Sequence, residues 1–386
     1  MLPLEIYIHI PFCVRKCAYC DFLSGTSTEE EREAYVELLC REMEACPQKV
    51  RDYRVVSVFF GGGTPSLLTG EQVSRILQVL KKQFVVDENA EITMEMNPGT
   101  AKRERLEAYK RSGVNRLSIG LQSVHNEELN MLGRIHTYED FLDSYNLARR
   151  TGFENINVDL ISAIPGQTVE SWEETLRTIL ELNPEHISAY SLIIEPGTPF
   201  DALYGEEGRE GVLPLPDEEA ERRMYHQTRK ILQESGYDRY EISNYARPGY
   251  ACRHNQGYWN RVPYLGFGIG AASLVPAGLS EHGNWCRYSN PETVAEYRTC
   301  FQDKFRGEPL ERKEEMEEFM FLGLRQMCGI RKADFQKSFG ESIEKVYAEA
   351  MKKLENLNLI EENEERIWLT EKGIDVSNMV FVEFML

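Results

Sequence analysis

Residues 7–22 read YIHIPFCVRKCAYCDF. An apolar, β-branched run is followed at once by three cysteines within eight residues, Cys13, Cys17 and Cys20, and no fourth cysteine lies nearby. A structural zinc site takes four protein ligands, usually as two separated pairs, so this triplet does not match one. A [4Fe–4S] cluster has four irons that each seek a ligand, so three thiolates leave one iron open for a small molecule. The spacing therefore favours such a cluster.

Two other interpretations of the triplet remain. Catalytic zinc can use three protein ligands, although compact Cys-x3-Cys-x2-Cys spacing is not usual for it. Three reduced cysteines without a ligand are the weaker alternative, given their density. The chain has nine cysteines, and those outside the triplet are scattered, which does not match a secreted disulfide framework. We therefore expect a cytoplasmic protein with a metal or redox use for the triplet.

Short β-like runs alternate with amphipathic segments over the first 236 residues. The runs are mostly rich in Val, Ile or aromatic residues, and the segments between them contain many charges, as in TEEEREAYVELLCREMEA. The strand candidates are residues 5–10, 54–60, 91–96, 115–121, 156–161 and 186–193. Six strand–helix units in succession indicate a parallel sheet with right-handed crossovers. We therefore expect an α/β fold over residues 1–236, a partial, TIM-like (β/α)6 barrel.

The pattern changes after residue 236. Residues 237–310 are rich in Tyr, Asn, Gly and Trp, which predicts an irregular connecting region with short strands. Residues 311–386 predict helices followed by a small hairpin, a winged-helix-like α+β domain. This shape often binds DNA, but the segment has 17 acidic and 11 basic residues, and the whole chain has a net charge of −19. We therefore expect no nucleic-acid partner.

Polar residues follow several of the predicted strands. The loop Gly61–Pro65, GGGTP, comes after the second strand, Glu95 lies near the end of the third, Gln122 follows the fourth, and Asp159 lies near the end of the fifth. In parallel α/β barrels the chemistry gathers at the carboxyl ends of the strands. A bare glycine backbone can also approach a ligand closely and expose N–H donors. The sequence therefore predicts one shared ligand at this end of the barrel.

The cysteine motif resembles the signature of radical S-adenosylmethionine (SAM) proteins, including Tyr19 just before the last cysteine. The resemblance implies that SAM binds the open iron and that an electron from the cluster cleaves it to a 5′-deoxyadenosyl radical. Sequence alone would leave Arg134 as a solvated charge at a helix end. The residues that the resemblance implies for SAM binding are Tyr7, Tyr19, Gly62, Gly63, Thr64, Glu95, Gln122, Arg134, Asp159 and Ala272.

Over nearly its whole length the chain is similar to the coproporphyrinogen III oxidase-like branch of radical SAM proteins. That branch contains oxygen-independent coproporphyrinogen III dehydrogenases, which decarboxylate two propionates, and haem chaperones. Two departures weigh against the dehydrogenase. Phe22 stands where that enzyme has a further cysteine, and only 12 residues precede Cys13, too few for its N-terminal extension.

One motif favours the chaperone. Residues 252–260 read CRHNQGYWN, and His254, Asn255, Tyr258 and Trp259 match the HNxxYW motif associated with haem in that group. A neutral imidazole can ligate haem iron, and Tyr and Trp offer flat amphipathic surface to a porphyrin. Cys252 and Tyr258 are alternative axial ligands. The competing interpretation is structural, with His254 and Asn255 in loop hydrogen bonds and the aromatic rings in the core.

The resemblance thus implies a haem chaperone with a [4Fe–4S] cluster and SAM, which delivers haem to an acceptor haemoprotein. A membrane respiratory protein is one candidate acceptor, and the electron donor is not identified. The alternatives are the coproporphyrinogen III dehydrogenase and another radical SAM enzyme that modifies haem or porphyrin. The sequence leaves open whether the chain is an enzyme.

Overall fold

Six parallel strands form the centre of the protein. The structure is a computed structural model that describes residues 1–205, 209, 211–301 and 303–386. Within these residues the central strands pair in chain order, each parallel to the next. They are β1 (Leu2–Ile10), β2 (Tyr53–Gly62), β3 (Val85–Met96), β4 (Arg116–Gln122), β5 (Asn155–Ser162) and β6 (His186–Ser191). The predicted α/β fold with a partial barrel is confirmed.

Helices follow the strands of this sheet, and the longer ones cover its outer face. They are α1 (Glu29–Glu44), α2 (Gly70–Gln83), α3 (Arg103–Ser112), α4 (Asn126–Met131), α5 (Tyr138–Arg150), α6 (Val169–Glu181), α7 (Asp201–Tyr204) and α8 (Glu218–Glu234). Threonine is the N-cap residue of four of them, at Thr28, Thr69, Thr137 and Thr168, and each forms a reciprocal capping box. Side chains alternate along each strand, so the apolar residues of β1 pack into the outer core while Glu5, Tyr7 and His9 lie on the barrel side.

Residues 237–310 extend the same sheet at both ends. Beyond β6 lie β8 (Asn244–Ala246) and β7 (Asp238–Arg239), and beyond β1 lie β9 (Tyr264–Phe267), β10 (Ala272–Val275), β11 (Cys286–Ser289) and β12 (Glu308–Pro309). The same region carries α9 (Arg253–Trp259) and α10 (Val294–Tyr297). A buried ion pair between Lys304 and Glu42, at 2.7 Å, ties it to α1. The predicted connecting region thus has the expected short strands, but they belong to the barrel sheet.

The C-terminal segment has its own hydrophobic core. Its helices are α11 (Arg312–Gly323), α12 (Lys332–Phe339), α13 (Ile343–Val346), α14 (Ala348–Asn356), α15 (Glu371–Asp375) and α16 (Ser377–Val382). Its strands form an antiparallel sheet in the order β13 (Ile330–Arg331), β15 (Arg366–Leu369), β14 (Ile360–Glu362). Helices followed by a small hairpin were expected here. Among the described residues, no helix has both the length and the apolar character needed to cross a membrane.

Candidate functional site

Backbone hydrogen bonds close the loop that carries the three cysteines. Cys13 N–H donates to Gly25 O at 2.8 Å, and Gly25 N–H donates to Pro11 O at 2.9 Å, so the loop returns to its own start. Ala18 N–H donates to Leu132 O at 3.0 Å, which fixes the middle of the loop to the end of α4. The three cysteines are partly exposed and free of disulfides. Their thiols are therefore available as ligands.

The three cysteines line one cavity of about 410 Å³ at the carboxyl ends of β2–β6, which we call the cluster cavity. Eight of the ten residues predicted to bind SAM line it too. They are Tyr19, Gly62, Gly63, Thr64, Glu95, Gln122, Arg134 and Asp159. The strand-end pattern therefore collects these residues around a single space next to the thiols.

Arg134 is buried, with 8% of its surface exposed, so it is not the solvated charge that sequence alone would allow. One terminal nitrogen donates to Asn97 Oδ1 at 2.9 Å and to Gly120 O at 2.6 Å. The other lies 3.6 Å from Cys17 Sγ. The guanidinium cation of Arg134 therefore lies beside one of the three candidate iron ligands.

Two carboxyl groups, Glu95 and Asp159, face the cluster cavity from β3 and β5. Glu95 accepts from Gly62 N–H at 3.1 Å, and burial together with the charge of Asp159 raises the pKa of Glu95 to about 8. Burial also raises the pKa of Asp159, against hydrogen bonds from Asn157 and Ser118. A cationic ligand beside these two buried carboxyls would stabilise their ionised forms. The sulfonium of SAM has that charge.

The glycine loop has a packing reason beside its predicted ligand role. Gly62 has φ +111°, and an added Cβ would lie 2.5 Å from Cε1 of His9. An added Cβ at Gly63 would lie 2.7 Å from Phe12 O. Only glycine therefore lets this loop lie against β1 and the cysteine loop.

Sequence reasoning missed Asn97. Its amide nitrogen donates to Thr64 Oγ1 at 2.8 Å, and its Oδ1 accepts from Arg134, so it joins the glycine loop to the arginine. Asn97 lines the cluster cavity and follows β3 directly. The strand-end rule that selected Glu95 could have found it, had it been extended by two residues.

The other two residues predicted for SAM, Tyr7 and Ala272, lie elsewhere. They line a second cavity of about 560 Å³ that we call the apolar cavity. Tyr7 O–H donates to His9 Nδ1 at 3.1 Å, because the other ring nitrogen of His9 donates to Leu23 O at 2.8 Å. An added Cβ at Gly61 would lie 2.9 Å from the ring of Tyr7, so this ring packs against the glycine loop that separates the two cavities.

The apolar cavity lies on the barrel side of β1, β9, β10 and β11, between α9 and α11. Of the HNxxYW residues, Tyr258 and Trp259 line it, together with Phe321 and Leu322 of α11. His254 and Asn255 are not among the residues that line either cavity. The predicted haem residues are therefore divided, with the aromatic pair on the cavity and the first two behind it.

His254 is 2% exposed. Its Nδ1 bonds to Ser57 Oγ at 2.8 Å and its Nε2 to Tyr258 Oη at 3.0 Å, so neither nitrogen is free. Burial and the charge of Arg116 lower the pKa of His254 to about 3. Cys252, the alternative ligand, is also buried, and its Sγ lies 3.5 Å from Glu91 Oε1. In this conformation neither can reach a ligand in the cavity.

Comparisons with known proteins place this chain in a family. The radical SAM superfamily model matches residues 7–179, and the model of the HemN C-terminal domain matches residues 310–376. The heme chaperone HemW of Lactococcus lactis is 37% identical over 387 residues, which cover 100% of this chain and 98% of that protein. The heme chaperone HemW of Bacillus subtilis is 34% identical and covers 98% of both chains. The chain belongs to the HemW family.

Membership of the HemW family confirms the predicted resemblance, and the radical SAM family implies a [4Fe–4S] cluster and SAM. The solved structure of coproporphyrinogen III oxidase (HemN) from Escherichia coli, a radical SAM enzyme, has the same overall fold. It covers 100% of this chain and 90% of its own, with a TM-score of 0.84 and 25% identity. Phe22, where the dehydrogenase was expected to have a cysteine, is 60% exposed at the edge of the cluster cavity.

Proposed function

We propose that this HemW-family chain binds haem and delivers it to an acceptor haemoprotein. The observation that carries the proposal is the apolar cavity of about 560 Å³, to which α9 presents Tyr258 and Trp259. Haem is a flat, largely apolar ligand with two anionic propionates, and aromatic walls with few polar groups suit it. The relatives of this chain in Lactococcus lactis and Bacillus subtilis are named heme chaperones.

One cationic group on the apolar cavity suits a propionate. Arg287 lines the cavity, and its guanidinium pairs with Glu318 and donates to Tyr264 Oη at 3.0 Å. A guanidinium presents its donors in a planar fork that matches the geometry of a carboxylate.

We assign the iron–sulfur cluster to Cys13, Cys17 and Cys20, and SAM to the cluster cavity. When bound, these groups supply one-electron chemistry that can cleave SAM to a carbon-centred radical. The chain's own part is to hold them, with Arg134 next to Cys17 and the carboxyls of Glu95 and Asp159 facing the cation. The rings of Tyr7 and His9 line the apolar cavity and lie against Gly61 and Gly62 of the glycine loop, so the cluster and haem would occupy neighbouring spaces.

The test of haem binding is an anaerobic titration of the cluster-reconstituted protein, followed in the Soret band. We expect saturable, stoichiometric binding. Trp259→Ala should weaken it about tenfold, because it removes the largest flat surface of the cavity. Trp368→Ala is the matched control, since Trp368 lies on β15, away from the apolar cavity. Equal affinities in the two variants would contradict the assigned site.

Delivery needs its own experiment. Haem-loaded protein is mixed with membranes from haem-deficient cells, and transferred haem is measured against the same amount of free haem. A carrier should load the membrane haemoproteins faster than free haem does, and Trp259→Ala should remove that advantage. Transfer no faster than that of free haem would leave binding without a delivery function.

One alternative has a specific observation behind it, the likeness of the whole chain to coproporphyrinogen III oxidase, with a TM-score of 0.84. A dehydrogenase should convert coproporphyrinogen III to protoporphyrinogen IX under anaerobic reduction with SAM. Cys17→Ala should abolish that product by removing the cluster, while Cys328→Ala, an exposed cysteine outside the cavity, should not. Absence of product in a protein with full cluster content would exclude this activity.

A further inference from the structure

A line of hydrogen bonds runs from the interior of the barrel to the apolar cavity. Ser57 Oγ lies 3.0 Å from Glu5 Oε1 and 2.8 Å from His254 Nδ1. His254 Nε2 lies 3.0 Å from Tyr258 Oη. Of these four residues, only Tyr258 lines the cavity. Ser57 has one hydroxyl proton, so it accepts from His254 Nδ1–H when it donates to Glu5, and it donates to Nδ1 when a protonated Glu5 donates to it.

Two aromatic rings hold the His254 ring in place. Phe59 stacks on it at 5.1 Å between ring centroids, with 21° between the planes, and Tyr258 meets it edge-on at 4.7 Å. To ligate an iron in the cavity, His254 would have to leave this site and break both of its hydrogen bonds. Ser57 and Glu5 would then remain in the core without this partner, which is costly.

Tyr258 is held equally well, but it lines the apolar cavity. Its ring meets that of Tyr264 edge-on at 4.6 Å, and its hydroxyl is fixed by His254. A phenolic oxygen has a second lone pair, and tyrosine is a known axial ligand of haem iron. The histidine behind it then acts as the outer partner that orients a metal ligand.

We propose that Tyr258, rather than His254, ligates the iron of ferric haem in the apolar cavity, and that His254 is a positioning residue for the Tyr258 hydroxyl. This inference rests on the proposed haem function. Ligation replaces the O–H bond of Tyr258 by an O–Fe bond, the iron stays ferric, and the proton passes to the solution. Two other tyrosines line the same cavity: the hydroxyl of Tyr264 accepts from Arg287, and Tyr7, which is also paired with a histidine, has its ring pressed against Gly61.

The test compares isosteric variants of the full-length, cluster-reconstituted protein with ferric haem. The readouts are affinity, the electron paramagnetic resonance of the ferric iron and the iron–phenolate bands of the resonance Raman spectrum. Tyr258→Phe should abolish the phenolate bands and weaken binding more than any other single variant. Tyr264→Phe and Tyr7→Phe, at the two other cavity tyrosines, should keep the bands.

His254 separates a ligand from a positioning residue. We expect His254→Ala to keep the phenolate bands but to lower the haem affinity about 10–100-fold, as loss of the outer partner of a metal ligand typically does. His254→Gln, which can still hydrogen-bond the hydroxyl, should restore most of that loss. Phenolate bands that persist in Tyr258→Phe, or an imidazole-ligated spectrum that disappears in His254→Ala, would overturn the inference. Absence of haem binding by the unmodified protein would instead refute the proposed function.

Discussion

Gln122 combines a place in the cluster cavity with an unfavourable backbone conformation. Its φ is +80°, in the left-handed region that non-glycine residues rarely adopt. The register between β4 and β5 shifts between Gly120 and Gln122, which turns the side chain toward the cavity at the end of the strand. Such strain costs about 1–3 kcal/mol and tends to occur at functional sites.

This strain gives a prediction in which stability and binding move in opposite directions. Gln122→Gly should raise the free energy of unfolding by about 1 kcal/mol, because glycine adopts positive φ freely. The same change should weaken SAM binding, because the side-chain amide of Gln122 is lost. Asn358→Gly is the control, since Asn358 has φ +54° at an exposed position outside the cluster cavity. Denaturant unfolding measures the stability of both variants, and SAM titration measures their SAM affinity. A Gln122→Gly protein that is less stable than the unmodified protein would contradict the proposed backbone strain at Gln122.

Glu5 predicts a pH dependence of stability. Burial raises the pKa of Glu5 to about 9, so between its unfolded value near 4.5 and 9 the native chain keeps a proton that the unfolded chain has lost. The contribution of Glu5 is therefore fully present below the unfolded pKa and is lost as the pH rises toward 9, at up to about 1.4 kcal/mol per pH unit. Glu5→Gln should flatten this slope in denaturant unfolding at about pH 6 and pH 8. The exposed Glu361→Gln should leave it unchanged, and equal slopes in all three proteins would refute the prediction.

The sequence predicts the cluster cavity better than the apolar cavity for a physical reason. Strand ends meet at one edge of a parallel sheet, so Glu95, Gln122 and Asp159 could be grouped from spacing alone. Tyr7 and Ala272 lie on the other cavity. The sequence could not show this, because strand position does not indicate on which side of the glycine loop a side chain packs. The burial of His254 arises only when α9 docks on the barrel, which no local pattern records.

At the scale of elements, the six central strands were predictable because most of them are rich in Val, Ile or aromatic residues. Their observed bounds differ from the predicted ones mainly by extension, as in Val85–Met96 against 91–96. The strands β7–β12 have two to four residues each, too few to show a period, so that their place in the barrel sheet could not be read from the sequence. Helix α9 begins where Glu91 of β3 accepts from Arg253 N–H at 3.0 Å, a cap from a distant element.

Gly257 fixes how closely α9 approaches the barrel. An added Cβ would overlap the carboxyl group of Glu5, so only glycine lets the helix lie against β1. A helical Gly→Ala change normally stabilises by about 1 kcal/mol, but here we expect Gly257→Ala to destabilise by about 1–3 kcal/mol through overpacking.

Because α9 carries Tyr258 and Trp259, Gly257→Ala should also weaken haem binding. Thermal unfolding and haem titration measure the two effects. Gln256→Ala on the same helix is the control and should be neutral. Adding Glu5→Ala removes the overlapping group. The double variant should therefore lose less free energy of unfolding than the sum of the losses in the two single variants. Strict additivity would mean that the overlap is relieved in some other way.

At the scale of the whole molecule, the apolar cavity exists only because the C-terminal segment covers the extended sheet. Phe321 and Leu322 of α11 face side chains of β1, β9 and β10 across it. A group of charges holds α11 there: Glu318 pairs with Arg287 of β11 and, at 3.3 Å, with Arg261, which also approaches Glu315 at 3.5 Å. These groups are mostly shielded from water, as Glu318 is only 13% exposed.

The cluster cavity, by contrast, is built entirely from the barrel, which makes the two cavities separable by mutation. Glu318→Ala leaves Arg287 and Arg261 without their shared partner and should destabilise the contact by about 1–3 kcal/mol. We expect faster hydrogen exchange in α11 and weaker haem binding, while iron content and SAM affinity stay unchanged. Arg222→Ala is the control, because its exposed pair with Asp375 also joins the barrel to the C-terminal segment but contributes little. Loss of iron or SAM binding in Glu318→Ala would show that the two cavities are coupled through the fold, and unchanged exchange in α11 would show that apolar packing alone holds the helix over the cavity.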